Sequence, residues 1–303
     1  MRRLLIFLFT LWLGSSALHA QQEETLSIDD LLSAAEDWTK DNLDDEVLEA
    51  LQDVDRDRVR AFLADLESRL QTNSVYELAP LQDAARGFVP FLEQWEETLP
   101  LAEWLKTRLD YLEVSEELKR ATEPPTVPPP APIQRTLWKR QFERRPLPAM
   151  AQKYVPRLKE IFQAEKTPPE LVWVAEVESS FNPNARSPVG AAGLFQLMKP
   201  TAKSLGLSTF FPDERTDPEK NARAAARYLR RLHTRFGDWQ LALAAYNCGE
   251  TRVDNLLRNS TSRDYNSIAG KLPAETQLYV PKCEAALQRR EGVSLADLKL
   301  PEG

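Results

Sequence analysis

Glu178-Ser-Ser-Phe-Asn-Pro-Asn-Ala-Arg-Ser-Pro-Val-Gly-Ala-Ala-Gly-Leu-Phe-Gln-Leu-Met198 is the stretch on which the reading of this chain turns. Just before it, Thr167, Pro168 and Glu170 have the spacing of an N-cap, a first helical proline and a capping-box glutamate, which predicts a helix start. Leu171, Val172, Trp173, Val174, Ala175 and Val177 leave that helix apolar on nearly every side, so it belongs inside a fold. Glu178 shares the stripe of Leu171, Val174 and Ala175 and therefore sits at the edge of the core. Asn182-Pro183-Asn184 and Ser187-Pro188-Val189-Gly190 are turn formers that end the helix and fold a loop back beside it. Burial raises a carboxyl pKa, and an acid that keeps its proton near neutrality is what protonating a glycosidic oxygen requires. Glu176 lies about 200° round the helix axis from Glu178, so the two cannot face each other. Any second carboxylate must come from elsewhere in the chain.

Three more blocks follow in order. They are Asp217-Pro218 with Asn221 through Tyr228-Leu229, then Ala244-Ala245-Tyr246-Asn247 with Gly249 and Val253, then Leu272-Pro273 with Glu275-Thr276 and Tyr279-Val280. Together with Glu178–Met198, Pro200 and Thr201-Ala202 they resemble the catalytic domain of the soluble lytic transglycosylases, over roughly residues 140 to 288. That resemblance implies an all-α, lysozyme-like fold and cleavage of the β-1,4 bond between MurNAc and GlcNAc in peptidoglycan. It implies that Glu178 serves as acid and then as base, with the substrate's own acetamido group as nucleophile and a 1,6-anhydro-MurNAc product. It further implies substrate contacts from Ser187, Gln196, Tyr246, Asn247 and Glu275. Ala225 replaces a customary glycine, Glu250-Thr251 a customary Pro-Gly and Cys248 a common alanine. A hydrolytic muramidase and a non-catalytic peptidoglycan-binding scaffold stay open as alternatives.

Outward from this centre the composition changes. Residues 21–120 hold 26 acidic against 10 basic side chains, a net of −16, whereas residues 121–303 hold 20 against 27, a net of +7. Val59, Phe62, Leu63, Leu66 and Leu70 form one helical stripe. Leu81, Ala84, Ala85, Phe88, Phe91, Leu92 and Trp95 form a second, and Leu101, Trp104, Leu105, Leu109 and Leu112 a third. Helices with one apolar face cover it against each other, which predicts an acidic N-terminal helical bundle over 21–120. The proline-rich run 121–133 reads as a semi-rigid linker to a lysozyme-like domain at 134–303. A mildly basic catalytic half suits the carboxylates of peptidoglycan stems, and the acidic bundle reads as the surface for a periplasmic protein partner.

Met1-Arg2-Arg3, the apolar run Leu4–Leu13 and the small residues up to Ala20 read as a signal peptide cleaved near Ala20, which predicts a periplasmic protein without a transmembrane segment. The basic residues Arg135, Lys139, Arg140, Arg144 and Arg145 surround Trp138 and Phe142. In an exported chain of acidic pI they read as solvated helix faces with Trp138 turned inward, and no nucleic-acid contact is expected. One mature histidine, His233, and two cysteines without ligand spacing predict neither a metal nor a cofactor. Export permits a bridge between Cys248 and Cys283, and two free thiols are the other reading. Strand-like alternation is absent, leaving room for one short irregular hairpin between Ala185 and Leu197.

Overall fold

The computed structural model describes residues 56–93, 98–122 and 125–301; the segment read as a signal peptide and the first part of the acidic region lie outside the described residues. The described helices are α1 (Arg56–Leu70), α2 (Gln82–Leu92), α3 (Leu99–Ala121), α4 (Ala131–Arg144), α5 (Ala151–Ala164), α6 (Val174–Ser179), α7 (Lys199–Ser204), α8 (Pro218–Phe236), α9 (Trp239–Cys248), α10 (Glu250–Arg258), α11 (Tyr265–Ile268) and α12 (Ala274–Glu291). The all-α class is as expected. In place of a hairpin, two isolated bridges, Arg186 to Ala192 and Ala192 to Leu197, stand in the loop after α6.

Several helix ends follow from their sequence. Asp217 caps α8 by accepting from the N–H groups of Glu219 and Lys220, with Pro218 in the first turn and Gly237 closing the helix at φ 71°. Asp238 caps α9 by accepting from the Leu241 N–H. The start at Thr167 is different from the expectation. Pro169–Trp173 form a 3-10 turn and the α-helix begins only at Val174. Thr167 turns away from the helix and donates its hydroxyl to the Ala226 carbonyl of α8 at 3.0 Å, so it staples two elements rather than capping one.

The stripes of α1 and α3 are buried as read, apart from a half-buried Leu109. On α2 the register moves. Ala84 is exposed, Phe88 and Phe91 are half-buried, and Val89 takes the core position. A 3-10 turn at Ala79–Leu81 precedes α2, and its tighter winding resets the face that follows.

The expected division into a bundle, a spacer and a separate catalytic domain does not appear in the core. Buried side chains run without a break from Val59 of α1 to Leu295, near the C-terminus. Trp138 and Phe142 of α4 are wholly buried, and Tyr111 of α3 meets Trp138 edge-on at 5.7 Å. Polar links cross the same seam. Lys282 of α12 donates to Asp110 and to the Thr107 carbonyl, both at 3.0 Å. The Ala274 N–H donates to Thr72 at 2.6 Å, and Gln277 to Asn73 at 2.8 Å. The proline-rich run is packed as well: Pro129 is buried, the Thr126 carbonyl accepts from Tyr76 at 2.9 Å, and a Cβ on Gly270 would stand 2.7 Å from Pro128. A large apolar side chain contributes about 1.5–3 kcal/mol when fully buried. Uncovering the α3 seam would therefore remove a large part of the roughly 5–15 kcal/mol that holds a domain together.

The charge asymmetry finds its use at this seam. Arg140 pairs with Glu117 at 3.1 Å, Arg145 with Asp110, and Arg108 with Glu275 at 2.9 Å. In the first two pairs an acid of the first part faces a base of the second, and in the third the order is reversed.

Candidate active site

Helix α6 is six residues long and buried throughout, which places its last turn deep in the molecule. Ser180 and Phe181 both adopt positive φ, 51° and 62°. Their N–H groups return to the carbonyls of Glu176 and Ala175, so the chain reverses at once. Such a cap closes a helix without further turns. Phe181 folds under the helix and meets Trp173 edge-on at 5.6 Å.

The loop Asn182–Met198 is then fixed from three sides. Ser179 donates to the Leu194 carbonyl at 2.7 Å. Asn221 of α8 accepts from the Phe195 N–H at 2.8 Å and donates to Ala192 at 3.3 Å. Arg215, almost wholly buried, donates to the carbonyls of Gly190 and Leu197 at 2.7 and 2.9 Å while Asp213 neutralises it. Gly193 has φ 86°, and a Cβ there would lie 1.9 Å from the Arg215 carbonyl oxygen, so no other residue fits the approach.

Against this frame stands Glu178, 9 % exposed. Its Oε1 accepts from the Tyr279 hydroxyl at 2.7 Å. Burial pushes its carboxyl up to about 7, and the Glu275 charge adds to that, while the Tyr279 hydrogen bond and the cations Arg108 and Lys282 pull the other way. A carboxyl so placed keeps its proton up to near neutrality and can release it when a partner oxygen develops charge. Burial likewise drives the phenols of Tyr279 and Tyr246 well above their usual range. Both therefore act as hydrogen-bond donors rather than as bases.

The other residues singled out in the sequence hold the frame. Tyr246 donates to the Phe195 carbonyl at 2.6 Å and lies within electrostatic range of Glu178. Ser187 is buried and accepts from the Ala191 N–H at 2.9 Å, closing its own turn. Gln196, at φ 45°, donates to Ala185 and Gly193 at 3.1 and 2.9 Å. Asn247 accepts from the Thr276 hydroxyl at 2.6 Å. Glu275, one turn from Tyr279 on α12, is held by Arg108 at 2.9 Å. Glu176 is on the far face as expected, where Arg290 grips both its oxygens at 2.9 and 2.7 Å.

Three residues near Glu178 carried no role in the sequence reading: Tyr279, Lys282 and Arg108. The first two had a legible signal, since Glu275, Thr276, Tyr279, Lys282 and Cys283 put polar groups at helical spacing along an otherwise apolar helix. Arg108 had none, being one of four basic residues on an amphipathic helix distant in sequence. Cys248 and Cys283 are both free thiols. Among the described residues no group of three His, Cys, Asp or Glu side chains could hold a metal ion, and no helix is long and apolar enough to cross a membrane.

Residues 159–269 match the family described as Transglycosylase SLT domain. The chain is 41 % identical over 121 residues to membrane-bound lytic murein transglycosylase D of Escherichia coli K12, covering 38 % of this chain and 26 % of that protein. It is 38 % identical over 115 residues to the soluble lytic murein transglycosylase of Salmonella typhimurium LT2, covering 35 % and 18 %. By its matched part the chain thus spans 26 % and 18 % of the length of these curated relatives. Lytic transglycosylase Slt of Pseudomonas aeruginosa aligns with a TM-score of 0.41 at 24 % identity, over 67 % of this chain and 34 % of that one; the helical class rests on this chain's own elements. Glu178, Ser187, Gln196, Tyr246 and Asn247 fall inside the matched residues, whereas Arg108, Glu275 and Tyr279 fall outside them. Around Glu178, residues 159–269 thus resemble the transglycosylase SLT domain.

Proposed function

We propose that this protein is a peptidoglycan lytic transglycosylase that cleaves the MurNAc–GlcNAc β-1,4 bond and leaves a 1,6-anhydro-MurNAc end. The names of the relatives support the substrate, and one observation carries the mechanism. Glu178 is a buried carboxyl raised to about 7, bonded by a phenol rather than by a cation. Because Tyr279 donates to Oε1, the acid proton belongs on Oε2, where it can be given to the glycosidic oxygen. The other acid within its field, Glu275, is already committed to Arg108, so among the described residues that act on Glu178 no carboxylate is free to attack the sugar or to activate water. The acetamido oxygen of the substrate then attacks C1, as the resemblance implies. Glu178, ionised by its first step, takes the C6 hydroxyl proton as O6 attacks C1, and the C1–acetamido oxygen bond breaks as the ring closes.

Ser187, Gln196, Tyr246 and Asn247 fix the loop after α6 and the end of α9, and with Glu275 they are the substrate contacts in this reading. In this reading the enzyme works on murein in the periplasm. A protein partner on residues 21–120 would use surface other than the α3 seam, whose acids already face Arg140, Arg145 and Lys282.

Mass spectrometry of muropeptides released from purified sacculi tests the proposal, since the anhydro product lacks one water relative to the hydrolytic one. Anhydro ends are expected. Predominantly reducing MurNAc ends would make the protein a muramidase, with Glu275 as the second carboxylate.

A further inference from the structure

The ion pair between Arg108 and Glu275 is unusual in its placing. Its side chains are 13 % and 14 % exposed, and its two halves come from residues 167 apart in sequence. Glu275 sits one helical turn before Tyr279, and Tyr279 bonds Glu178 at 2.7 Å. Arg108 comes from α3, outside the residues that match the transglycosylase domain. Its guanidinium is fixed by Thr107 at 2.7 Å and lies 5.2 Å over the Trp104 ring, while its Nε is buried without a partner. An arginine present only to saturate hydrogen bonds would not leave a buried donor unmatched.

We propose that Arg108 is a positioning residue of the site: its ion pair holds Glu275 one helical turn from Tyr279 and offsets that carboxylate's charge at Glu178, and so the pair governs the pH range over which Glu178 serves as an acid. This rests on the transglycosylase reading for its consequence, though not for its physics. The groups that face Glu178 are Tyr279, Glu275, Lys282 and Cys283 from α12, Arg108 from α3 and Tyr246 from α9. Arg108 favours the ionised form of Glu178 and Glu275 opposes it. The two halves therefore oppose each other at Glu178, and removing one unmasks the other.

The signs follow. Arg108→Gln removes a nearby cation and frees the Glu275 charge, so Glu178 holds its proton to higher pH. Glu275→Gln does the reverse, and the double variant lies between. Activity that needs the protonated acid falls as pH rises, so the alkaline limb of the rate profile moves up in the first variant and down in the second. A shift that triples the protonated fraction on that limb corresponds to roughly half a pH unit. Arg108→Lys, which keeps the charge, stays near the wild type.

The test uses the full chain with 13C-labelled glutamate. The Glu178 carboxyl resonance, assigned by its loss in Glu178→Gln, is titrated in each variant beside the pH profile of muropeptide release. Opposite displacement of the titration in Arg108→Gln and Glu275→Gln is the expected result. A titration that stays put in folded Arg108→Gln, whatever happens to the rate, overturns the proposal and leaves the pair a structural brace. Should Arg108→Gln not fold, Glu275→Gln decides alone, and an unmoved titration there counts against the idea. A wild type that releases no muropeptides removes the transglycosylase reading while the NMR titration still decides the role of Arg108.

Discussion

Glu176 and Glu178 lie two residues apart on one short helix, and both are buried, yet their surroundings fit them for opposite work. Glu176, with no side-chain exposure, is gripped through both oxygens by Arg290 in a structural ion pair. Glu178 meets a neutral hydroxyl, with its cations at one remove, and burial keeps its proton on. The difference teaches that burial alone does not make an acid. The partner decides, since a cation in contact stabilises the charge that burial penalises, and a phenol does so only in part.

The largest expected effect breaks the Glu178 side by removing the helix behind it. Residues 134–303 alone lack α3 and hence Arg108, Tyr111 and the partner of Lys282. This fragment should fail to form a cooperatively folded domain. Loss of the near-UV circular dichroism of the intact chain would show it, and a fragment with native-like signal and glycan-cutting activity would restore the independent domain read from the linker.

Next in size is Glu178→Gln, expected to lower muropeptide release by at least the 10²–10⁴-fold typical of a lost general acid. It also carries a stability signature. The neutral carboxyl that the fold favours gives stability that is fully present below the ordinary value of 4.5 and is lost as pH rises through about 7. A neutral amide escapes that loss. Glu178→Gln should therefore be more stable than the wild type above neutrality, by up to about 3 kcal/mol, and similar to it in mild acid. Thermal melts on both sides of neutrality check the sign.

Glu176→Gln sharpens the contrast from the other face. It leaves Arg290 buried with half its partner, so stability should fall by about 3 kcal/mol while the folded enzyme still releases muropeptides. Urea titration beside a product assay separates the two, and an inactive but fully stable Glu176→Gln would erase the distinction between the faces.

Much of the site was legible in local chemistry. The turn formers after Glu178, the apolar run before it and the carboxylate on the inward stripe are short-range features that one helix period displays. The caps at Asp217 and Asp238 and the unequal faces of Glu176 and Glu178 are of the same kind. What the sequence obscured involved packing between segments. Thr167 reads as a cap because its spacing permits one, yet its hydroxyl finds the Ala226 carbonyl, which no local pattern reveals. Ser187, Gln196 and Asn247 read as groups reaching for a ligand, and no local pattern reveals that they also bond into the loop and to Thr276.

Local sequence specified the helical class, the inward-facing carboxylate of Glu178 and the loop beside it, because periodicity, turn residues and capping act over a few residues. Only the tertiary structure decided that the acidic helices and the transglycosylase domain share one core. A proline-rich run marks where a chain is stiff and extended, and says nothing about whether the surfaces on either side of it are complementary. Complementarity arises when Glu117, Asp110 and Arg108 of α3 meet Arg140, Lys282 and Glu275. Those partners are 23, 172 and 167 residues apart, and such long-range pairing is fixed by the packing of apolar faces rather than by any local preference.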